Sequence, residues 1–313
     1  MLLSVKKAQE FLRCPRSFNC IRRCGEYFVS DDRRGGVLRY HASQDKPVLI
    51  DFDTSVLDEQ RFLSTRGGSP VIRAGRMALV IRRILQGESR ITVRNIASML
   101  KHAPTSSTKP VILIVGGGTI GQGMDELYQS ERVDLLAFDI YNSPHIQFVA
   151  DAHRLPLADC SLDMVVIQAV LEHVLEPEKV VKEIFRVLKP GGIVYAETPF
   201  MQQVHEGPFD FMRFSDSGHR WLFRDFNRLS SGAVLGPAVQ LIWSLDYFAR
   251  GLFRSRSAGR VVRAAFSWLR FFDLLIPPPH QVDGACGVYF MGIKGARAIT
   301  SREAITEYQG VQQ

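Results

Sequence analysis

A doubly wound, mostly parallel α/β sheet is the fold class this sequence predicts. Three observations carry that expectation. Apolar, β-branched runs VILIV (111–115), LLAFD (135–139), MVVIQ (164–168) and IVYAE (193–197) alternate with helix-patterned stretches. The segments between them have about the length that a crossover between parallel strands needs. The first run passes straight into a glycine-rich turn, VGGGTIGQG (115–123).

Each element has its own signature. VILIV has the continuous apolar character of a strand buried on both faces. Before the fourth run, Pro177 fits the first position of a helix whose Val180, Val181, Ile184, Val187 and Leu188 recur on one face. Pro190, Gly191 and Gly192 then stop that helix and turn the chain into IVYAE. A short strand precedes Asp151, and VYFMGIK (288–294) reads as a last strand returning to the sheet.

Composition bounds the function. The 313 residues are 46% hydrophobic and 23% charged, as for a packed globular protein. The net charge of +7 is uneven. Residues 1–110 hold 20 Lys and Arg against 10 Asp and Glu, a balance of +10 that leaves −3 for the remainder. A basic front half suits an anionic partner or simply a solvated face. It holds no aromatic stacking motif or nucleic-acid module, so no specific nucleic acid is expected. Five Cys in irregular spacing do not form a secreted disulfide framework. The start MLLSVKKAQEFLR lacks a signal-type apolar region, and the most apolar stretch, 229–245, is interrupted by Ser, Gly, Pro and Gln. A cytoplasmic protein is expected.

The chain divides into a small turn-rich unit at 1–60, a helical linker at 61–108, a main domain at 109–295 and a polar, poorly ordered tail at 296–313. MALVIRRIL (77–85) and VRNIASML (93–100) supply the linker's helical spacing, and HAPTSSTKP (102–110) marks the boundary. Within the main domain, 232–279 reads as a helical insertion.

The glycine-rich turn alone fits several dinucleotide or nucleoside cofactors. A helix following it would point its free N–H groups and positive dipole end at the ligand. Asp139, ending the second strand, is placed to accept hydrogen bonds from a ribose diol. The run DAHRLPLADCSLDMVVIQAVLEHVLEPEKVVKEIFRVLKPGG from Asp151 to Gly192 narrows the choice. It closely resembles the class I S-adenosylmethionine-dependent methyltransferases of the type 11-like branch, which are Rossmann-like. The resemblance implies a cofactor site for S-adenosyl-L-methionine. In it Gly116, Gly118 and Gly121 line the methionine and ribose side, and Asp139 holds the ribose. Asp151 takes the adenine amino group with Ala152 nearby, and Gln168 to Val170 face the sulfonium end. One departure stands out: Ile114 occupies a position, two before the first glycine, where relatives often carry an acid.

Methyl transfer from a sulfonium is an in-line displacement that chiefly needs alignment and exclusion of water. A base is needed only for a weakly acidic acceptor. Glu172 and His173 follow the fourth strand, where His173 suits either acceptor chemistry or packing at a helix start. TPFMQQVHEGPFDFMRFSDSGHRWLF (198–223) mixes aromatics with His205, Glu206, Asp210, Arg213 and His219, as a pocket with apolar walls and polar anchors requires. It resembles a region of methyltransferases from glycan and cell-surface assembly. His205 is the candidate acceptor-side base and Arg213 the candidate anchor for an anionic group.

The first 52 residues resemble a degenerate zinc-ribbon-like module. Cys14, Cys20 and Cys24 with His41 lack the paired spacing of a structural zinc site, so no metal is expected. At the other end, RVVRAAFSWLRFFDLLIPPP (260–279) reads as a lid or oligomer helix, or as an interfacial helix touching anionic lipid. The combined expectation is an S-adenosylmethionine-dependent methyltransferase acting on an oxygen or nitrogen of a small-molecule, glycan or lipid-linked acceptor, cytoplasmic or peripheral to a membrane. The alternatives are a non-catalytic cofactor-binding scaffold, motivated by Ile114, and an RNA or protein methyltransferase. Oligomeric state is left open.

Overall fold

The computed structural model describes residues 1–32, 35–64, 89–103 and 109–312. The expected helix at 77–85 lies outside them. The strands are β1 (Arg22–Cys24), β2 (Tyr27–Asp31), β3 (Val37–Ser43), β4 (Lys46–Leu49), β5 (Val111–Val115), β6 (Asp134–Asp139), β7 (Phe148–Ala150), β8 (Leu162–Gln168), β9 (Leu188–Pro199), β10 (Phe226–Leu235) and β11 (Gly287–Lys294). The α-helices are α1 (Val5–Ala8), α2 (Glu59–Ser64), α3 (Arg90–Lys101), α4 (Asp125–Gln129), α5 (Pro177–Val187), α6 (Asp216–Leu222), α7 (Pro237–Leu252), α8 (Arg256–Ala265), α9 (Pro278–Asp283) and α10 (Ser301–Thr306).

All eleven strands join one sheet in the order β1-β2-β3-β4-β7-β6-β5-β8-β9-β11-β10. The run from β4 to β9 is parallel. β11 is inserted antiparallel between β9 and β10. The fold is therefore Rossmann-like, with a mixed sheet whose core strands are parallel. Strand order reverses at β5 and β8, and open α/β sheets hold ligands beyond the strand ends at such a switch point.

Apolar side chains alternate between two cores. Leu113, Val115, Val165 and Ile167 enter one with the buried face of α5, while Ile112, Ile114, Met164 and Val166 enter the other with Ile96 and Met99 of α3. Burying each such side chain contributes about 1.5–3 kcal/mol. Ile114, the departure from the family pattern, is thus a core residue. Asp163 closes the opposite end of the sheet, where it accepts from the Val111 amide at 2.9 Å and pairs with Lys189 at 2.8 Å.

Three features differ from the sequence reading. β10 forms where no strand was expected, and the helical stretch placed from 232 begins at Pro237. FNRLSSGAVL has weak apolar alternation, and its pairing with β11, interrupted by two register shifts, makes it a strand. The tail is ordered. A capping box of Thr300 and Glu303 starts α10, and Glu307 meets the buried Arg220 at 2.5 Å. The N-terminal unit does not stand apart, since β4 pairs with β7 through Val48↔Val149 and Leu49↔Ala150. Among the described residues Cys14, Cys20 and Cys24 form no ligand cluster. Cys14 is buried against the Tyr40 hydroxyl at 3.0 Å, and the other two are exposed.

His219 of α6 is a core residue among Phe214, Phe223 and Phe290, and neither ring nitrogen has a hydrogen-bond partner. Burial without a partner pushes it down to about 3. The unfolded chain takes up a proton near pH 6.5 that the folded chain refuses. This contribution to stability is therefore present above about pH 6.5 and lost as the pH falls towards 3. His219→Phe is expected to flatten the fall in stability across that window, measured as urea midpoints at successive pH values; an unchanged slope would assign acid sensitivity elsewhere.

Candidate active site

The chain leaves β5 through a turn with no room for side chains. Gly116 has φ +75°, and a Cβ there would lie 2.3 Å from Val170 Cγ2. A Cβ on Gly121 would lie 1.8 Å from Gln168 Oε1. Only a bare backbone fits between these neighbours. The helix expected after the turn is short, Asp125–Gln129. Its dipole is correspondingly small. The Gly117 and Gly118 amides of the turn donate within the fold, to the Phe138 carbonyl and to Asp139, each at 2.8 Å.

Asp139 ends β6 as expected and is buried beside the turn. Its Oδ2 accepts from the Gly118 amide at 2.8 Å, and its Oδ1 from the Ile140 amide at 2.7 Å. Asp151 follows β7, with Ala152 buried next to it. Its Oδ1 accepts from the His153 amide at 2.9 Å and meets His153 Nδ1 at 2.6 Å; its Oδ2 accepts from Ser55 Oγ at 2.5 Å. Burial opposes ionisation of Asp151, but the His153 and Ser55 hydrogen bonds outweigh it and lower its pKa. The N-terminal unit thus reaches the rim of the site through Ser55, which the sequence reading missed.

Gln168 ends β8. Its Nε2 donates to the Gln122 carbonyl at 3.1 Å and to Glu197 Oε2 at 2.7 Å. Glu197, at the end of β9, is buried and also accepts from Thr92 of α3 at 2.6 Å and from the Tyr195 hydroxyl. Burial raises its pKa despite these donors. Sequence reasoning passed over Glu197, although an acid in the otherwise apolar run IVYAETP was a signal. Helix α3, assigned to a linker, holds the strand ends through Thr92 and through Asn95, which donates to Tyr195 at 3.3 Å.

Gly116, Gly118, Gly121, Asp139 and Gln168 thus gather around one turn, and Asp151 with Ala152 lies one strand further out. The acceptor-side residues form a second group. Glu172 and His173 lie in a 3-10 turn after β8, and His205 comes from the loop after β9. The rings of His173 and His205 are 5.0 Å apart. Glu172 is 1% exposed, and burial pushes it up to about 8. His205 is lowered by burial and by His173. Burial works against Asp210, but the Arg213 fork and the His205 amide hold it down at about 2.

Arg213 differs from its expected part as an anion anchor. Its guanidinium donates to both Asp210 oxygens and to the Gln202 and Met212 carbonyls. In this arrangement it fixes Asp210, which in turn receives the His205 amide and faces His205 Nδ1 at 3.3 Å.

A parallel sheet with a glycine turn, a strand-end acid and a switch point between β5 and β8 is the arrangement of the Rossmann-like class. Residues 126–196 match the family described as methyltransferase domain. The demethylmenaquinone methyltransferase of Paenarthrobacter aurescens is 39% identical over 100 residues, covering 28% of this chain and 38% of that protein. The malonyl-[acyl-carrier protein] O-methyltransferase of a Marinomonas species is 47% identical over 49 residues, 16% of this chain and 18% of that one. Among solved structures, the phosphoethanolamine N-methyltransferase 2 of Haemonchus contortus, in complex with S-adenosyl-L-methionine, is 13% identical with a TM-score of 0.45, covering 88% of this chain and 71% of that one. The likeness to a methyltransferase domain thus lies over residues 126–196, and S-adenosyl-L-methionine is the cofactor such a domain takes. The chain matches well under two thirds of the length of these curated relatives.

Gly116→Ala tests the turn. Strained backbone at positive φ and the collision with Val170 are expected to destabilise the fold by about 1–3 kcal/mol in urea unfolding; wild-type stability would show that the turn relaxes freely.

Proposed function

We propose that the protein transfers a methyl group from S-adenosylmethionine to an oxygen or nitrogen of a small-molecule, glycan or lipid-linked acceptor. The observation that carries this reading is the arrangement of two groups at one edge of the sheet. The glycine turn with Asp139, Asp151 and Gln168 forms the first, and the Glu172, His173 and His205 cluster beyond β8 and β9 forms the second. When bound, the cofactor supplies a sulfonium-activated methyl.

The residues fit that cofactor. The turn packs closely against the strand ends, with a Cβ at Gly121 lying 1.8 Å from Gln168 Oε1, so a ligand there would meet bare backbone. Asp139, buried at the end of β6, is suited to the ribose hydroxyls, and Asp151 to the adenine amino group. The acid lacking at Ile114 has a counterpart in Glu197, which lies on the same face of the sheet and is suited to the ammonium of the methionine tail. Phe209 and Phe211, in the loop that bears His205, present exposed apolar side chains near it in the chain.

A second property concerns 237–275. This stretch leaves eleven large apolar side chains exposed, among them Phe248, Phe253, Trp268, Phe271 and Leu275. It carries six Arg and two Asp. Both acids are engaged within the fold, Asp246 with Arg250 and Asp273 with the Ala238 and Val239 amides. Exposed aromatics beside arginines suit an anionic lipid surface, and no described helix is long and apolar enough to cross a membrane. Tyr247 and Gln203 tie α7 to the loop bearing His205, so the same stretch also braces the acceptor side.

Calorimetric titration tests the cofactor reading. S-adenosylmethionine and S-adenosylhomocysteine are both expected to bind the wild type near the micromolar range. Asp139→Ala should weaken both at least about tenfold with the fold intact by circular dichroism; unchanged affinity removes Asp139 from the site. For the lipid surface, the protein should sediment with phosphatidylglycerol vesicles but not with phosphatidylcholine alone, and Phe253→Ser with Trp268→Ser should release it. Equal sedimentation of the double variant, or a wild type that stays in the supernatant while forming dimers, would overturn that assignment.

A further inference from the structure

We infer that Glu172, His173 and His205 form a binding site for one divalent transition-metal ion. Glu172 Oε1 lies 3.6 Å from His173 Nε2 and 3.8 Å from His205 Nε2. The three donor atoms lie within 4.8 Å of one another. Those separations are too long for hydrogen bonds. The two Glu172 separations are close to the roughly 3.4 Å edge of a tetrahedron whose centre is about 2.1 Å from nitrogen and oxygen ligands. A small inward shift closes the set around an ion.

The surroundings of each ligand point the same way. Both Glu172 carboxylate oxygens are buried and without a hydrogen-bond partner. An acid held dry in that way is costly unless it meets a cation. His173 Nδ1 lies 2.8 Å from the Phe209 carbonyl, so it donates there and leaves the Nε2 lone pair towards Glu172. His205 Nδ1 faces Asp210, itself clamped by Arg213, and again Nε2 is the free nitrogen. Metal-binding histidines are oriented in this manner, their second nitrogen donating to a carbonyl or a carboxylate. Glu206 Oε2, 3.9 Å from His173 Nε2, is within reach as a fourth ligand.

Two imidazoles and one carboxylate favour a first-row transition ion over magnesium or calcium, which prefer oxygen alone. Three protein ligands leave room for a water or an acceptor oxygen. With the ion in place, His205 is a ligand and its Nε2 does not take a proton from the acceptor. The site does not depend on the methyl-transfer reading, because ion binding is measured without cofactor.

The test uses the untagged full chain, stripped with a chelator and titrated with zinc. One zinc per chain is expected, weakened at least about tenfold in Glu172→Gln and in His205→Ala. X-ray absorption on the zinc-loaded wild type should show two imidazole ligands, a readout that does not require either variant to fold. A wild type that binds no zinc, binding that is equal in both folded variants, or a spectrum without imidazole would overturn the site.

Discussion

The absence of room at the carboxyl end of β5 governs the rest of this structure. β5 is fixed at the sheet centre by β6 and β8, with its side chains committed to the two cores. The chain must then leave through a gap bounded by Val170, Asp139 and Gln168. Bare backbone passes at Gly116 and Gly121, and the Gly118 amide holds Asp139 at 2.8 Å. Anchoring on one side comes from Asp139 and the Gly118 amide, and on the other from Gln168 and Glu197.

Polar groups at this edge are linked across long sequence distances. Glu197 gathers Thr92, Tyr195 and Gln168, so the helix before β5 and the ends of β8 and β9 share one buried carboxylate. Asp151 draws in Ser55 from the N-terminal unit. Arg213 holds Asp210, and Asp210 orients His205. Such chains of hydrogen bonds in a low-dielectric setting are costly to leave half satisfied, which rigidifies the edge. Among the described residues, both Glu172 carboxylate oxygens are buried without a hydrogen-bond partner, as are the Thr198 hydroxyl and Gln203 Oε1.

The Glu172, His173 and His205 group differs in kind from the group around the glycine turn. Backbone and strand ends build the latter, and the parallel core fixes them. The former is built from a short 3-10 turn and the loop 200–215, tied down by the Phe211 amide on the Glu172 carbonyl at 2.8 Å and by α7. Loops carried on a rigid scaffold are where specificity is set. Residues 126–196, which match the methyltransferase domain family, lie before that loop.

Much of this was legible in the sequence because it rests on local pattern. VILIV, LLAFD, MVVIQ and IVYAE form strands within a residue or a few of their expected bounds, and Pro177 starts α5. The glycine turn and Asp139 come together for the same reason, since both belong to consecutive strand ends. β10 was not legible, because Asn227, Arg228, Ser230 and Ser231 break its apolar alternation and only β11 makes it a strand. The ordered tail, Ser55 at the rim, the true partner of Arg213 and the role of Glu197 were likewise hidden. Each depends on side chains far apart in the chain meeting in a buried place, where an unpaired polar group is costly and a paired one is not. The sequence by itself therefore determined the parallel core and the cofactor turn, which follow from hydrophobic period and glycine sterics. Tertiary structure alone decided how His173, His205 and Glu172 converge, because no local rule links a turn after the fourth parallel strand to a loop after the fifth.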